Sequence, residues 1–276
     1  MRKRWWFLLS LVLLTAGGIL ALPSWLEWQN NGLMHTRHTI ASDALPEAFE
    51  GYRIVHLSDL HNHTFGENQE DLVSRTASED PDIIVFTGDL EDEDYGGSDQ
   101  GLVLMERLTA IAPVYMISGN HEWRFGGWDD LEQKINERGV TTLRNDTVEL
   151  TQAGETIRMS GIEDPLSSIP ADEAVRSSIS DPPFHLLLAH RPEDIASYAE
   201  WGADVVFTGH AHGGQIRIPF IGGLNAPGQG WMPEYTSGIH TEGVTQMVIS
   251  RGLGNSTFPQ RIFNRPEIIT VTLQSE

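Results

Sequence analysis

The chain has no cysteine, so disulfides, thiolate metal ligands and a cysteine nucleophile are excluded together. It is also short of positive charge: 18 Lys and Arg stand against 39 Asp and Glu, a formal net charge of −21. The only dense cationic cluster, Arg2-Lys3-Arg4, precedes an apolar segment, and Lys3 splits the arginines so that no strict twin-arginine pair forms. Nucleic acid is therefore not an expected partner, because its phosphates must be neutralised by basic patches. Neither G-x-G-x-x-G nor G-K-[ST] follows a strand-like run, and G-x-S-x-G does not occur. Dinucleotide binding, Walker-type nucleotide chemistry and nucleophile-elbow serine hydrolysis are set aside with them.

What is present begins with Trp5 to Leu22, an uncharged stretch rich in Leu, Trp and Phe. It falls near the lower limit of the roughly 17–25 residues that a spanning helix needs. A cleavable signal peptide is the alternative, but Ala21-Leu22-Pro23 offers no small-x-small site, and Trp25 and Trp28 stand where an interfacial aromatic belt would. An uncleaved anchor is the preferred reading. The cationic cluster before it predicts a single-pass protein of the cell membrane with everything after the anchor on the extracytoplasmic side. Three regions follow: 1–22 as the anchor or signal segment, 23–48 as a stalk with a lead-in strand near Thr36 to Ser42, and 49–276 as one catalytic domain.

From Tyr52 the chain alternates apolar strand-like runs with helical patterns: strands at 52–58, 83–87 and 114–118, helices near 67–78, 99–111 and 128–138. Such alternation gives right-handed βαβ crossovers and a mostly parallel sheet. After Arg138 shorter alternating runs, 147–150 and 156–162, imply a second, partly antiparallel sheet. Strands then return at 184–189, 205–208, 215–218, 245–250 and 267–273, with a helix near 193–200. Two sheets face to face with helices outside would bury the whole set.

Five of the apolar runs stop on residues that can hold a metal. Asp59-Leu60-His61 follows the first, Gly88-Asp89 the second, Gly119-Asn120-His121-Glu122 the third, His190 ends another, and Gly209-His210-Ala211-His212 closes the last. Open α/β sheets place ligands beyond the carboxyl ends of their strands, so Asp59, His61, Asp89, Asn120, His190, His210 and His212 would converge on one edge. One such histidine alone is more often a packed or solvated residue; the set is not. Oxygen and imidazole donors without sulfur suit Mn²⁺, Fe²⁺ or Zn²⁺. Seven donors exceed what one tetrahedral zinc requires, and two divalent ions sharing a carboxylate account for the number.

The pattern D-x-H, G-D, G-N-H-E, a lone His and G-H-x-H resembles the calcineurin-like dinuclear metallophosphoesterases. Within them it is similar to the membrane-anchored YkuE/YaeI-like branch, which itself resembles UDP-2,3-diacylglucosamine hydrolases. The resemblance covers about residues 36–275 and includes Ser250 to Asn255 and Phe263 to Pro266. It implies a four-layer α-β-β-α fold with two mixed sheets. It also implies that Asp59, His61 and His212 bind one metal, that Asn120, His190 and His210 bind the other, and that Asp89 bridges them. His121 would be a non-ligand that contacts the phosphate or protonates the leaving oxygen, a role its ordinary pKa suits. A metal pair can hold a bridging hydroxide and clamp an in-line displacement, so the expectation is a metal-dependent hydrolase of phosphomonoester, phosphodiester or pyrophosphate bonds. Its substrate would be a phosphorylated small molecule or a lipid-linked, cell-envelope compound. The alternative is a non-catalytic metal-binding surface module on the same fold.

Other residues carry two readings each. Asn62 is either a phosphate contact or a turn former. Arg191 either pairs with a phosphate or caps the helix after Pro192. His56 and His185, inside apolar runs, read as buried structural residues, and His35, His38, His63 and His240 as solvated. Ile216 to Tyr235 reads as an apolar loop beside the metals that lines a pocket, touches the membrane or packs on the second sheet. Trp123, Phe125 and Trp128 are expected as the opposite wall of the cleft.

Overall fold

A computed structural model describes the chain apart from Met1, Glu93, Tyr95, Phe125, Asp172, 181–183 and Thr257. Helix α1 (Arg2–Asn31) runs through Pro23 and is long and apolar enough to cross a membrane. The expected stalk is therefore helical up to Asn31. Strand β1 (Met34–Ala41) follows within three residues and pairs in parallel with the final strand, from Met34 opposite Glu267 to Ala41 opposite Gln274. It is an edge strand of the domain rather than a lead-in. His35 is held there by Thr270 Oγ1 at 2.8 Å and Glu79 at 3.2 Å, so the expectation that it is solvated is corrected.

The first half then runs β2 (Arg53–Leu57), α2 (Glu70–Ala77), β3 (Ile83–Phe86), α3 (Asp99–Leu108), β4 (Val114–Met116), α4 (Asn120–Arg124), α5 (Trp128–Asn136) and β5 (Thr141–Thr142). Strands β2 to β5 are successive parallel neighbours, as right-handed crossovers dictate. The helices form where acidic residues open the first turn and apolar residues recur on one face. In α5, Asp129 and Asp130 lie at the start, and Trp128, Leu131 and Ile135 point inward.

The second half runs β6 (Asp146–Gln152), β7 (Glu155–Gly161), α6 (Glu173–Ser180), β8 (His185–Leu188), α7 (Ile195–Trp201) and β9 (Val205–Thr208). Four two-residue strands follow, β10 (Arg217–Ile218), β11 (Gly222–Gly223), β12 (Asn225–Ala226) and β13 (Gly230–Trp231), then β14 (Gly238–Glu242), β15 (Thr245–Ile249) and β16 (Glu267–Gln274). The sheets are ordered β1-β16-β2-β3-β4-β5 and β14-β15-β9-β8-β7-β6, each mixed. Helix α6 and strand β14 are additions to the sequence reading. The expected strand at 215–218 is one arm of a small ribbon, β10 with β11.

Side chains alternate faces along each strand, and three cores result. Ile54 and Val85 point between the sheets, with Leu186, Leu188 and Phe207 opposite them. Val55, Leu57 and Phe86 face α2, α3 and α5, while Leu187 and Val206 face α6 and α7. Helix, sheet, sheet, helix is the four-layer order expected. Each fully buried Leu, Ile or Phe contributes about 1.5–3 kcal/mol, so the middle core locks both sheets and, with them, the relative position of their carboxyl edges.

Candidate metal centre

Every donor named from the sequence lies at that shared edge, on turns leaving β2, β3, β4, β8 and β9. The turns are tight. Asp59, His61, Asp89, His210 and His212 all have positive φ, between 46° and 63°. Left-handed backbone costs a non-glycine residue energy and concentrates at functional sites. Here it folds each side chain back over the strand end. Gly88, at φ 92°, has no room for a Cβ because the Gly119 backbone abuts it, so the β3 and β4 turns touch through two glycines.

The resulting cluster is buried. Asp59, His61, Asp89 and His212 offer ligand atoms within 4.8 Å of one another, and Asp89, His190 and His210 do the same. His61 Nε2 stands 3.0 Å from His212 Nε2 and 3.6 Å from Asp89. On the other side His190 Nε2 is 3.3 Å from Asp89, 3.1 Å from His210 Nδ1 and 3.2 Å from Asn120 Oδ1. Asp89 thus lies between two groups of donors.

The hydrogen bonds around the ring decide which nitrogen carries each proton. His61 Nδ1 donates to Asp92 at 2.9 Å, and His190 Nδ1 donates to the Thr87 carbonyl at 2.7 Å. With Nδ1 so engaged, Nε2 of each ring is the nitrogen aimed inward, the arrangement by which outer partners orient metal-binding imidazoles, and a metal there would take the place of its proton. Two imidazole lone pairs facing one another across 3 Å repel unless a proton or a cation lies between them. The donor set therefore fits metal ions, and the residues are arranged to bind them.

Charge tells the same story. Burial disfavours a proton on His190, yet Asp89, Asp59 and Asp164 more than offset it and raise its pKa to about 10. Buried carboxylates are demanding positive charge, which a divalent ion would also supply. Burial holds His210 and His212 well below the usual histidine range, so they are neutral, as ligands must be. Asp89 sits well below the usual carboxylate range: burial opposes this, but the neighbouring His190 and His61 outweigh it.

Two residues of the site were missed in the sequence. Asp92 reaches His61 Nδ1 and lies 3.3 Å from His121 Nδ1, joining the cluster to the candidate acid. Glu122 is fully buried and accepts backbone N–H bonds from Asp89, Leu90 and Gly119 at 3.0, 2.7 and 2.6 Å. Only the acids that close G-D-L-E-D and G-N-H-E signalled them. His121 itself is buried, donates its backbone N–H to Asp89 at 2.9 Å, and has its pKa lowered by burial.

Other expectations sort differently. Arg191 makes a bidentate pair with buried Asp164 at 2.8 and 3.1 Å through Nε and Nη2, and its Nη1 stands 3.4 Å from His210 Nε2; its side chain makes no helix-cap bond. The Asn62 side-chain oxygen accepts from Gln100 N at 2.8 Å. His56 and His185 are buried on Thr87 and Ser160 as expected, whereas His63 bonds Asn31. Trp128 is a core residue under the first sheet and not a cleft wall; Trp123 bonds Ser118, and Phe125 lies outside the described residues.

Two mixed sheets with an Asp/His cluster at their common edge define a metal-dependent phosphoester hydrolase. Comparison with known proteins agrees. The profile of the calcineurin-like phosphoesterase family matches residues 52–214, and the chain belongs to that family. It is 33% identical over 267 residues to the metallophosphoesterase YkuE of Bacillus subtilis, covering 95% of this chain and 92% of that protein. It is 27% identical to the phosphodiesterase YaeI of Escherichia coli, covering 91% and 89%. The NAD nucleotidase of Haemophilus influenzae shares the fold, with a TM-score of 0.50, 13% identity, and coverage of 73% of this chain and 45% of that one.

Proposed function

We propose that this hydrolase cleaves phosphodiesters, drawn from lipid-linked or cell-envelope compounds, with two divalent ions as cofactor and manganese as a competent metal. The observation that carries the reading is the pair of inward-facing imidazole contacts on either side of Asp89. Asp59, His61 and His212 would hold one ion, Asn120, His190 and His210 the other, and Asp89 both. Such a pair, when bound, polarises a phosphoryl oxygen and lowers the pKa of water.

The remaining work falls to the chain. The Asp92 carboxylate, 3.3 Å from His121 Nδ1, would favour the protonated imidazole, whose other ring nitrogen would face the leaving oxygen and deliver its proton there. Asp92 then balances the charge that His121 exchanges. Asn62 enters only through its amide, as a phosphate contact. The diester preference is supported by the similarity to a named phosphodiesterase. Helix α1 would span the cell membrane, with Arg2-Lys3-Arg4 on the cytoplasmic side and the hydrolase outside.

Full-length protein in detergent, supplied with Mn²⁺, should hydrolyse bis(p-nitrophenyl) phosphate faster than p-nitrophenyl phosphate. Asp89→Asn should abolish turnover and lower bound metal. His121→Asn should lower turnover while metal content stays at the wild-type level. Faster cleavage of the monoester would overturn the diester assignment, and metal loss from the His121 variant would make that residue a ligand.

A further inference from the structure

Helix α1 is not tethered to the domain by loose chain. Gln260 Nε2 donates to the Leu26 carbonyl at 3.0 Å, Arg261 N to Asn30 Oδ1 at 2.8 Å, and Asn30 Nδ2 to the Pro259 carbonyl at 2.9 Å. The Trp25 ring packs edge-on against Phe263 at 5.5 Å, and the Arg265 guanidinium covers Trp28 at 4.3 Å. The tryptophans read as a lipid belt are clamps on the segment from Pro259 to Arg265. That segment also touches the metal centre, because Asn264 donates to the His212 carbonyl at 2.7 Å.

The same segment carries the β10–β11 ribbon. Ile216 bridges Ile262, and Arg217 N donates to the Ile262 carbonyl at 2.9 Å. Phe220 at the ribbon tip is therefore within about 14 Å of extended chain from that bridge. Phe220 is fully exposed and Trp231, on the adjoining ribbon, is 78% exposed. Phe220, Met232 and Phe263 combine exposure with positive φ, at 69°, 55° and 51°. Bulky side chains in left-handed backbone are strained; Phe263 is partly repaid by its contact with Trp25, whereas Phe220 is fully exposed, so its strain serves to present it.

Arg217 lies on the ribbon, and Arg265 lies on the segment that carries it, over Trp28. Arg251 is paired with Glu267 at 3.8 Å, and Glu234 stands exposed beside Trp231 and Met232. Exposed apolar tips beside a transmembrane helix are complementary to the acyl boundary of a bilayer, with Arg217 and Arg265 near enough to meet head-group phosphates.

We propose that Phe220, Trp231, Met232 and Phe263 form a membrane-seated face, continuous with α1, that presses into the leaflet it faces and opens the His212 side of the metal centre onto the head-group layer. This rests on α1 being a span. The substrate phosphate would then be taken from the plane of the bilayer, which deepens the lipid-linked reading above.

The absence of cysteine makes the test direct, since a single introduced cysteine gives a unique nitroxide site. Phe220→Cys, Leu14→Cys and Val244→Cys, in full-length protein reconstituted into phosphatidylcholine–phosphatidylglycerol vesicles, report on the face, the anchor and an exposed distant turn. The label at 220 should be relaxed by oxygen and shielded from a nickel chelate, as the label at 14 is, while the label at 244 is nickel-accessible. A label at 14 in water would sink the span itself. A label at 14 in lipid with 220 as nickel-accessible as 244 would overturn this proposal alone. In parallel, Phe220→Asp with Trp231→Asp should slow hydrolysis of vesicle-bound hexadecyl p-nitrophenyl phosphate about tenfold and leave the soluble diester rate unchanged; equal effects on both would also overturn it.

Discussion

Glu122 offers the sharpest test of how this site is built. Its Oε2 accepts from Gly119 N at 2.6 Å and Asp89 N at 3.0 Å, and its Oε1 from Leu90 N at 2.7 Å and, more weakly, Glu91 N at 3.4 Å. One carboxylate thereby ties the β3 turn, which carries Asp89, to the β4 turn, which carries Asn120. Glu122→Gln replaces one acceptor oxygen by an NH₂ group that faces N–H donors. The amide will settle with its oxygen toward Gly119 and Asp89, stranding Leu90 N. A buried unsatisfied donor costs about 1–3 kcal/mol, and the opposed donors add to it, so a loss of about 2–4 kcal/mol is expected. For a chain of this size that lowers Tm by roughly 4–16 °C. Glu122→Ala strands three donors and approaches the whole stability of roughly 5–15 kcal/mol that a folded domain has, so the glutamine variant is the informative one. A shift of the Asp89 turn by about 1 Å would lower turnover about 100-fold. Thermal melts and metal content of the full-length variant in detergent are the assay. Wild-type melting with wild-type metal content would refute the argument, since the donors would then be satisfied elsewhere.

Three further outcomes are expected. Asp92→Asn removes the charge shared by His61 and His121, and metal affinity measured by competition with a chelator should fall about 10- to 100-fold; unchanged affinity would remove Asp92 from the site. Gly209→Ala places a methyl on Ser58 Oγ and Asp59 Oδ2, so a loss of about 1–3 kcal/mol and of metal binding is expected, checked by melts with and without Mn²⁺. Burial lowers the pKa of His185 to about 4 from an unfolded value near 6.5. Its contribution is full above pH 6.5 and is lost as pH falls toward 4, amounting to about 2 kcal/mol at pH 5. His185→Gln should flatten the acid limb of a Tm–pH curve; an unchanged slope would show that another group governs it.

The contrast between what could and could not be read in the chain follows range. Periodicity is local, so the largely apolar runs at 54–57, 83–86, 186–189 and 205–208 announced two-sided burial, and the residues that ended them announced a common edge. Pairing is not local. Nothing near Met34 says that it will lie beside Glu267, so an integral edge strand read as a stalk, and His35 read as solvated. Asp92 and Glu122 acquire meaning only through contacts across about 30 positions, to His61 and to the turn at Asp89.

Hydrophobic period and motif spacing were sufficient for an α/β fold with seven candidate donors at one edge, and the resemblance carried by those motifs for the family, because each is written in neighbouring residues. The tautomers of the imidazoles, the brace under the turns and the rigid seat of α1 on residues 259–265 came only with the folded chain. They depend on which distant groups meet at hydrogen-bond distance, and packing of the two sheets against one core decides that.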